Sequence, residues 1–240
     1  MFDLLRPCAH KKDSLFEIPQ YIKLDSAKSI SEVTDNLIFP LMCKRRTACS
    51  STESHQMTII PSPQHLTEKW ADQYGDNEPV IIQNFIQHDG VIIKVYVARG
   101  QIHVSTRPSF INVTEDTATI EFDSQLLPKQ FDDAITSSAL DSSRPSLRQF
   151  ILSSDATNIQ AQKEALIDYD RLQQMADTLQ GQLGLTFYGF DVLLESVTNN
   201  YYVVDINYFP GFKNFPKFQS VFVNILKDAL ESDPHTKTIG

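Results

Sequence analysis

Two strand-length runs late in the chain each carry one aspartate among mostly apolar neighbours. They are Phe187-Tyr188-Gly189-Phe190-Asp191-Val192-Leu193-Leu194 and Tyr201-Tyr202-Val203-Val204-Asp205-Ile206-Asn207. Between them lies Glu195–Asn200, where Thr198-Asn199-Asn200 has turn chemistry. A hairpin centred on Thr198 sets Asp191 directly opposite Asp205. Opposed side chains on antiparallel strands have Cβ atoms ~4.5–5.5 Å apart, so both carboxylates share one face. Asn207, two residues beyond Asp205, points to the same face. Like charges this close among apolar residues are destabilising unless something positive sits between them. A hard divalent cation answers that need. Mg²⁺ takes one or two carboxylates, keeps waters and bridges substrate phosphates. The competing reading leaves one aspartate facing solvent or bonded within the turn, because a one-residue slip in register would separate the pair.

Such a site needs a core around it, and 240 residues with 41% hydrophobic content suffice for one soluble domain or two small lobes. The net charge of −9 argues against non-specific binding of nucleic acid or membrane. An anionic substrate would therefore need a local concentration of Lys, Arg and His. The three cysteines, Cys8, Cys43 and Cys49, form no CxxC pair, which fits a reducing compartment better than a disulfide framework. Cys8 and His10 have no second ligand pair at zinc spacing. No apolar run approaches the ~20 residues of a membrane-spanning helix, and Met1–Pro7 is too short and polar for a signal peptide. A cytosolic monomer is expected, with the nucleus open to a protein of this size.

Along the chain, Ile18–Leu24 reads as a short strand and Ser29–Asn36 as a short helix. Leu37–Lys44 is an apolar run that ends on a lysine, so a buried strand delivers Lys44 at its end. Arg45–Ser54 is small and polar and reads as a loop. His55–Ile60 begins another strand, Ser62–Trp70 a helix, and Val80–Phe85 a further strand. Val91–Ala98 and Gln101–Arg107 flank Arg99-Gly100 as a hairpin. Residues 112–160 read as long variable loops. Gln162–Leu183 has apolar residues at helical spacing and ends at Gly184.

In order along the chain, Phe39–Lys44, Ser54-His55-Gln56-Met57, Gln83–Val97, Arg107-Pro108-Ser109, Phe190-Asp191 and Asp205–Phe212 resemble segments of the inositol tetrakisphosphate 1-kinase family. Members are also called inositol 1,3,4-trisphosphate 5/6-kinases. The resemblance implies an α+β ATP-grasp fold, with ATP between two lobes and an antiparallel sheet in the larger one. Residues 17–82 would form the small lobe and 83–235 the large lobe, with 236–240 a tail. Family members carry a further N-terminal lobe, so residues 1–16 are expected as its remnant or a linker.

The resemblance also implies roles. Lys44 would contact ATP phosphates, and Arg6 would match an ATP-contacting arginine. Gln83, Asn84, Phe85 and Ile86 would form the hinge whose backbone reads adenine, and Ser109 would lie on the ATP side. His55, His88, Lys94 and the Gly211 backbone would face the inositol phosphate. His55, Lys94 and Arg107 would serve catalysis, while Asp191, Asp205 and Asn207 would hold one or two Mg²⁺ ions. Each residue also has a plainer reading: a strand-end arginine at the surface, a snorkelling lysine, a core strand at Val80–Phe85, a structural histidine. The expected function is Mg-dependent transfer of phosphate from ATP to a hydroxyl of an inositol polyphosphate. The alternatives are a nucleotide or inositol-phosphate binding module with impaired catalysis, and an ATP-grasp carboxylate–amine ligase.

Overall fold

The computed structural model describes residues 1–9, 13–32, 37–46, 55–66, 74–75, 77–131, 150–151, 156–211, 215 and 217–232. Expectations for Cys49, His10, most of the Arg45–Ser54 loop and Phe212 lie outside them. Two antiparallel sheets organise the chain. The first contains β1 (Tyr21–Leu24), β2 (Leu41–Arg45), β3 (Gln56–Ile60), β4 (Val80–Asn84) and β7 (Ile120–Asp123), in the order β1-β4-β2-β3-β7. The second contains β5 (Val91–Ala98), β6 (Gln101–Pro108), β8 (Phe187–Leu194) and β9 (Tyr201–Asn207), in the order β6-β5-β8-β9. Among the described residues four α-helices accompany them: α1 (Phe2–Ala9), α2 (Ala156–Ala165), α3 (Tyr169–Leu183) and α4 (Phe218–Ser232).

Alternation along the strands divides each sheet into a core face and a second face. Leu41 and Cys43 of β2 join Val80, Ile82 and Ile60 in one buried cluster, so Met42 and Lys44 project from the opposite side. In the second sheet Ile93, Val95 and Val97 meet Tyr188, Phe190 and Val192 and pack on Leu172, Met175, Ala176 and Leu179 of α3. Lys94, Tyr96 and Asp191 are left on the other face. The core beneath that sheet also takes Phe2, Leu5, Ala9, Phe16 and Ile18. Residues near the N-terminus thus belong to the packing of the second sheet, and Glu17 forms a parallel bridge with Tyr202 on its edge.

Turn and cap chemistry account for several boundaries. Arg99 and Gly100 both have positive φ, 54° and 76°, the geometry of a two-residue hairpin turn. Gly184 caps α3 in the left-handed region. From sequence, Gln162–Leu183 is expected as one helix; the structure divides it. Asp168 stops the first segment and caps α3 by accepting from the Arg171 N–H. Leu166 and Tyr169, expected on the apolar face, are exposed at the break.

Two other expectations change. Residues 112–160 do not read wholly as loops: Ile120–Asp123 pairs with β3. Ile120 and Phe122 enter a cluster with Ile59, Phe85, Phe110 and Val113. Ser62–Trp70, expected as a helix, shows a short 3-10 turn at Pro63–His65, with the residues after Leu66 outside the described set. Among the described residues no helix is long and apolar enough to cross a membrane.

Candidate active site

The open face of the second sheet is a grid of opposed side chains. One row runs Ser105, Lys94, Asp191, Asp205 across β6, β5, β8 and β9. The neighbouring row runs His103, Tyr96, Gly189, Asn207. Asp191, Asp205 and Asn207 therefore share one face. The route to that register differs from a hairpin centred on Thr198. Nearest the turn, Leu194 pairs with Tyr201 and Leu193 with Tyr202, and a bulge between Asp191 and Val192 then restores the opposed aspartates. Glu195 sets the turn: its carboxylate accepts from the Val197 and Thr198 N–H groups at 3.0 and 2.6 Å.

A side chain already supplies positive charge beside the carboxylates. The Lys94 ammonium donates to both Asp191 oxygens, at 2.6 and 2.5 Å. The repulsion expected from sequence to demand a divalent ion is thus relieved by a lysine one strand away, and the case for a metal rests on the donors themselves. Two carboxylates and an amide oxygen form a hard, all-oxygen set of the kind Mg²⁺ selects. Among the described residues no group of three or more His, Cys, Asp or Glu is placed to hold a metal. Burial and the Asp205 charge push the Asp191 carboxyl above its ordinary range, against the pull of Lys94 and Arg107.

Lys44 belongs to the first sheet. It sits between Met57 and Ile81 in its row. Its ammonium lies 5.1 Å from the centroid of the Phe2 ring. Burial lowers its pKa, and the charge of Asp205 opposes the change. Arg6 does not reach the grid. It donates to the Tyr21 hydroxyl at 2.9 Å and lies over the Tyr21 ring, within a network that includes Asp3 and Lys23.

The expected hinge is largely occupied by its own backbone bonds. The Asn84 N–H donates to the Gln20 carbonyl, and the Phe85 N–H to the Pro40 carbonyl. The Ile86 carbonyl accepts from His88 Nδ1 at 2.6 Å. The unused group is a side-chain atom that sequence reasoning passed over: Gln83 Oε1 is buried with no hydrogen-bond partner among the described residues. Gln83 opposes Met42, so it lies on the same face of the sheet as Lys44.

His88, expected to face substrate, is 2% exposed. Its Nε2 accepts from the Ser109 hydroxyl at 2.8 Å while Nδ1 holds its proton on Ile86. Burial pushes its pKa down to about 4. Ser109, expected beside ATP, is likewise turned to His88. Gly211 is exposed, and a Cβ there would meet nothing within 4 Å. The close approach occurs instead at Gly189, where a Cβ would meet Pro210 Cβ at 3.1 Å. The chain after Asn207 thus folds back over the grid.

His55 stands half-buried at the entrance to β3. Arg107 pairs with Ile92, one row beyond Lys94, and its guanidinium donates to the Tyr96 hydroxyl at 3.3 Å. Ser105 and Tyr96 escaped notice in the sequence. A signal for Ser105 was present, since a turn at Arg99-Gly100 places it opposite Lys94.

Two antiparallel sheets, one carrying a lysine near a strand end and the other a face of carboxylates, are the architecture of an ATP-grasp protein. D-alanine–D-alanine ligase from Bacillus anthracis superposes with a TM-score of 0.54 at 16% identity, over 96% of this chain and 66% of the ligase. The macrocyclase MdnC from Microcystis aeruginosa gives 0.53 at 10% identity, over 95% and 59%. At these identities the likeness concerns the fold.

The profile of the inositol 1,3,4-trisphosphate 5/6-kinase ATP-grasp domain matches residues 10–228, and the chain belongs to that family. Inositol-tetrakisphosphate 1-kinase from Xenopus laevis is 30% identical over 200 residues, covering 82% of this chain and 44% of the relative. Inositol-tetrakisphosphate 1-kinase 3 from Arabidopsis thaliana is 29% identical over 214 residues, covering 88% and 54%. The chain therefore spans about half the length of these two relatives.

Proposed function

We propose that this chain carries the ATP- and metal-binding centre of an inositol polyphosphate kinase. It would transfer the γ-phosphoryl of ATP to a free hydroxyl of the inositol ring. The observation that carries this reading is the register that places Asp191, Asp205 and Asn207 on one face of the second sheet. Hard oxygen donors gathered on one face suit a metal-bound triphosphate. Asp191, Asp205 and Asn207 would hold Mg²⁺, which when bound offsets the charge on the β- and γ-phosphates. Gln83 Oε1 offers an acceptor for the exocyclic amine of adenine.

Lys44 and Arg107 would neutralise phosphate charge. Lys94, His55 and the Gly211 backbone would orient the inositol phosphate. The oxygen of the accepting hydroxyl bonds to phosphorus as the bond to the β-phosphate bridge breaks, and the hydroxyl proton passes to solvent. Transfer of this kind rests on positioning and electrostatics, so no general base is assigned. The likeness to ligases is one of fold, and fold alone does not fix the reaction.

The test is incubation of the chain with ATP, Mg²⁺ and a panel of inositol phosphates, with products separated by chromatography. A phosphorylated inositol is expected from the wild-type chain, and none from Asp205→Ala. Equal turnover by that variant, folded by circular dichroism, would remove the metal assignment.

A further inference from the structure

Among the described residues three buried side-chain polar atoms have no hydrogen-bond partner: Gln83 Oε1, Ser105 Oγ and Arg107 Nε. Ser105 and Arg107 are two residues apart on β6, on the face that bears Lys94. A buried hydroxyl left unpaired is costly, so a persistent one calls for a reason. Ser105 also stands in a particular place. Lys94 lies between Asp191 on one neighbouring strand and Ser105 on the other, directly opposed to both. Its ammonium is turned wholly to Asp191, with both carboxylate oxygens within 2.6 Å.

A divalent ion on Asp191 changes that balance. The carboxylate must share its oxygens with a doubly charged centre, and the ammonium is left beside like charge. The row offers Lys94 a neutral acceptor on its other side, the Ser105 hydroxyl. Turning there places the ammonium on the strand that carries Arg107, two like charges that only an anion bound between them reconciles.

We propose that Ser105 is a positioning residue that receives the Lys94 ammonium when a metal takes Asp191, so that metal loading assembles a Lys94–Arg107 pair for the anionic substrate. This rests on the function proposed above. In the metal-free protein Lys94 is the metal's placeholder; in the loaded protein it is a phosphate ligand. Metal and inositol phosphate then favour each other's binding, and by linkage the coupling is reciprocal. Threonine at position 105 keeps the hydroxyl and suits a strand, whereas alanine removes it.

The experiment titrates inositol 1,3,4-trisphosphate into the full chain holding ADP, with Mg²⁺ and then with a chelator, by calorimetry. The wild type should bind about tenfold more tightly with Mg²⁺, a gain typical of one charge-assisted hydrogen bond. Ser105→Ala should lose most of that gain and Ser105→Thr should keep it. Equal gains in the wild type and Ser105→Ala would overturn the proposal while leaving the kinase reading intact.

Absence of binding under both conditions would count against the inositol phosphate reading itself. A second measurement then judges the switch alone, using Mn²⁺ affinity in the presence of ADP by electron paramagnetic resonance. Lys94→Met should tighten Mn²⁺ by removing its competitor, and Ser105→Ala should weaken it about threefold to tenfold. Unchanged Mn²⁺ affinity in both variants would end the proposal.

Discussion

Two lysine–aspartate pairs flank β5, nearly equal in length and opposite in character. Lys163 of α2 meets Asp89 at 2.6 Å, and Lys94 meets Asp191 at 2.5 Å. The first pair is closed. Asp89 also accepts from Asn112 Nδ2 and the Ser196 hydroxyl, while Lys163 donates to the Leu194 carbonyl. The second pair is open. A second carboxylate faces it, and unpaired Ser105 and Arg107 atoms lie alongside. Burial raises the carboxyl pKa at both aspartates. At Asp89 the donors outweigh burial and hold the carboxyl below its ordinary range, whereas at Asp191 they do not. The contrast separates architecture from function: a fully satisfied pair fixes a loop, and an unsatisfied one is poised for a ligand.

The sharpest way to break this contrast is to neutralise each pair and compare activity with stability. Asp191→Asn keeps the shape of the side chain and removes its charge. ATP turnover should fall about a hundredfold to a thousandfold, the range for loss of one preorganised charge contact. The urea midpoint should fall less than for the closed pair, since loss of the Lys94 ion pair is offset by relief of the repulsion between Asp191 and Asp205. A variant that unfolds instead of losing turnover would place Asp191 with the closed pair.

Lys163→Met should show the opposite pattern. It leaves Asp89 with two neutral donors and no cation, at a cost of ~3 kcal/mol for a broken, partly buried pair. The unfolding midpoint should drop accordingly. Turnover measured well below that midpoint should stay within about twofold of wild type, since Lys163 is assigned no contact with nucleotide or substrate. A stable Lys163→Met with poor turnover would mean the two pairs are not different in kind.

Of this contrast the sequence shows only the opposed aspartates of the open side, and the limits are physical. Alternation and turn residues gave the β5–β6 and β8–β9 hairpins, including the opposed aspartates, because period-two patterning and turn chemistry are local. The bulge beside Asp191 was not legible. Two compensating displacements, one at the turn and one at the bulge, gave the register expected without either. Strand β7 was hidden because only Ile120 and Phe122 alternate in a polar stretch. The interruption between α2 and α3 did have a signal in Asp168, which apolar spacing alone overrode. His88 could not be read at all: one partner lies two residues away and the other twenty-one. Only the folded chain shows that both ring nitrogens are engaged.

His88 belongs to the closed side of the comparison, and pH tests that placement with the smallest effect. Its neutral ring is held by Ile86 and Ser109. Asp89 favours the imidazolium and Lys163 disfavours it, but burial dominates and lowers the pKa from 6.5 to about 4. The folded protein therefore resists a proton that the unfolded chain accepts. The contribution is fully present above pH 6.5 and is lost as pH falls toward 4, an upper figure of ~3 kcal/mol. Urea unfolding at stepped pH over this interval should show stability falling with acid in the wild type. His88→Asn starts less stable, because it gives up the ring's packing against Phe85, yet its slope should be flatter. If both proteins lose stability equally between pH 6.5 and 4, the imidazole titrates as it would in water. It would then be open to solvent and substrate, as the family resemblance implies, and the closed region would end at Asp89.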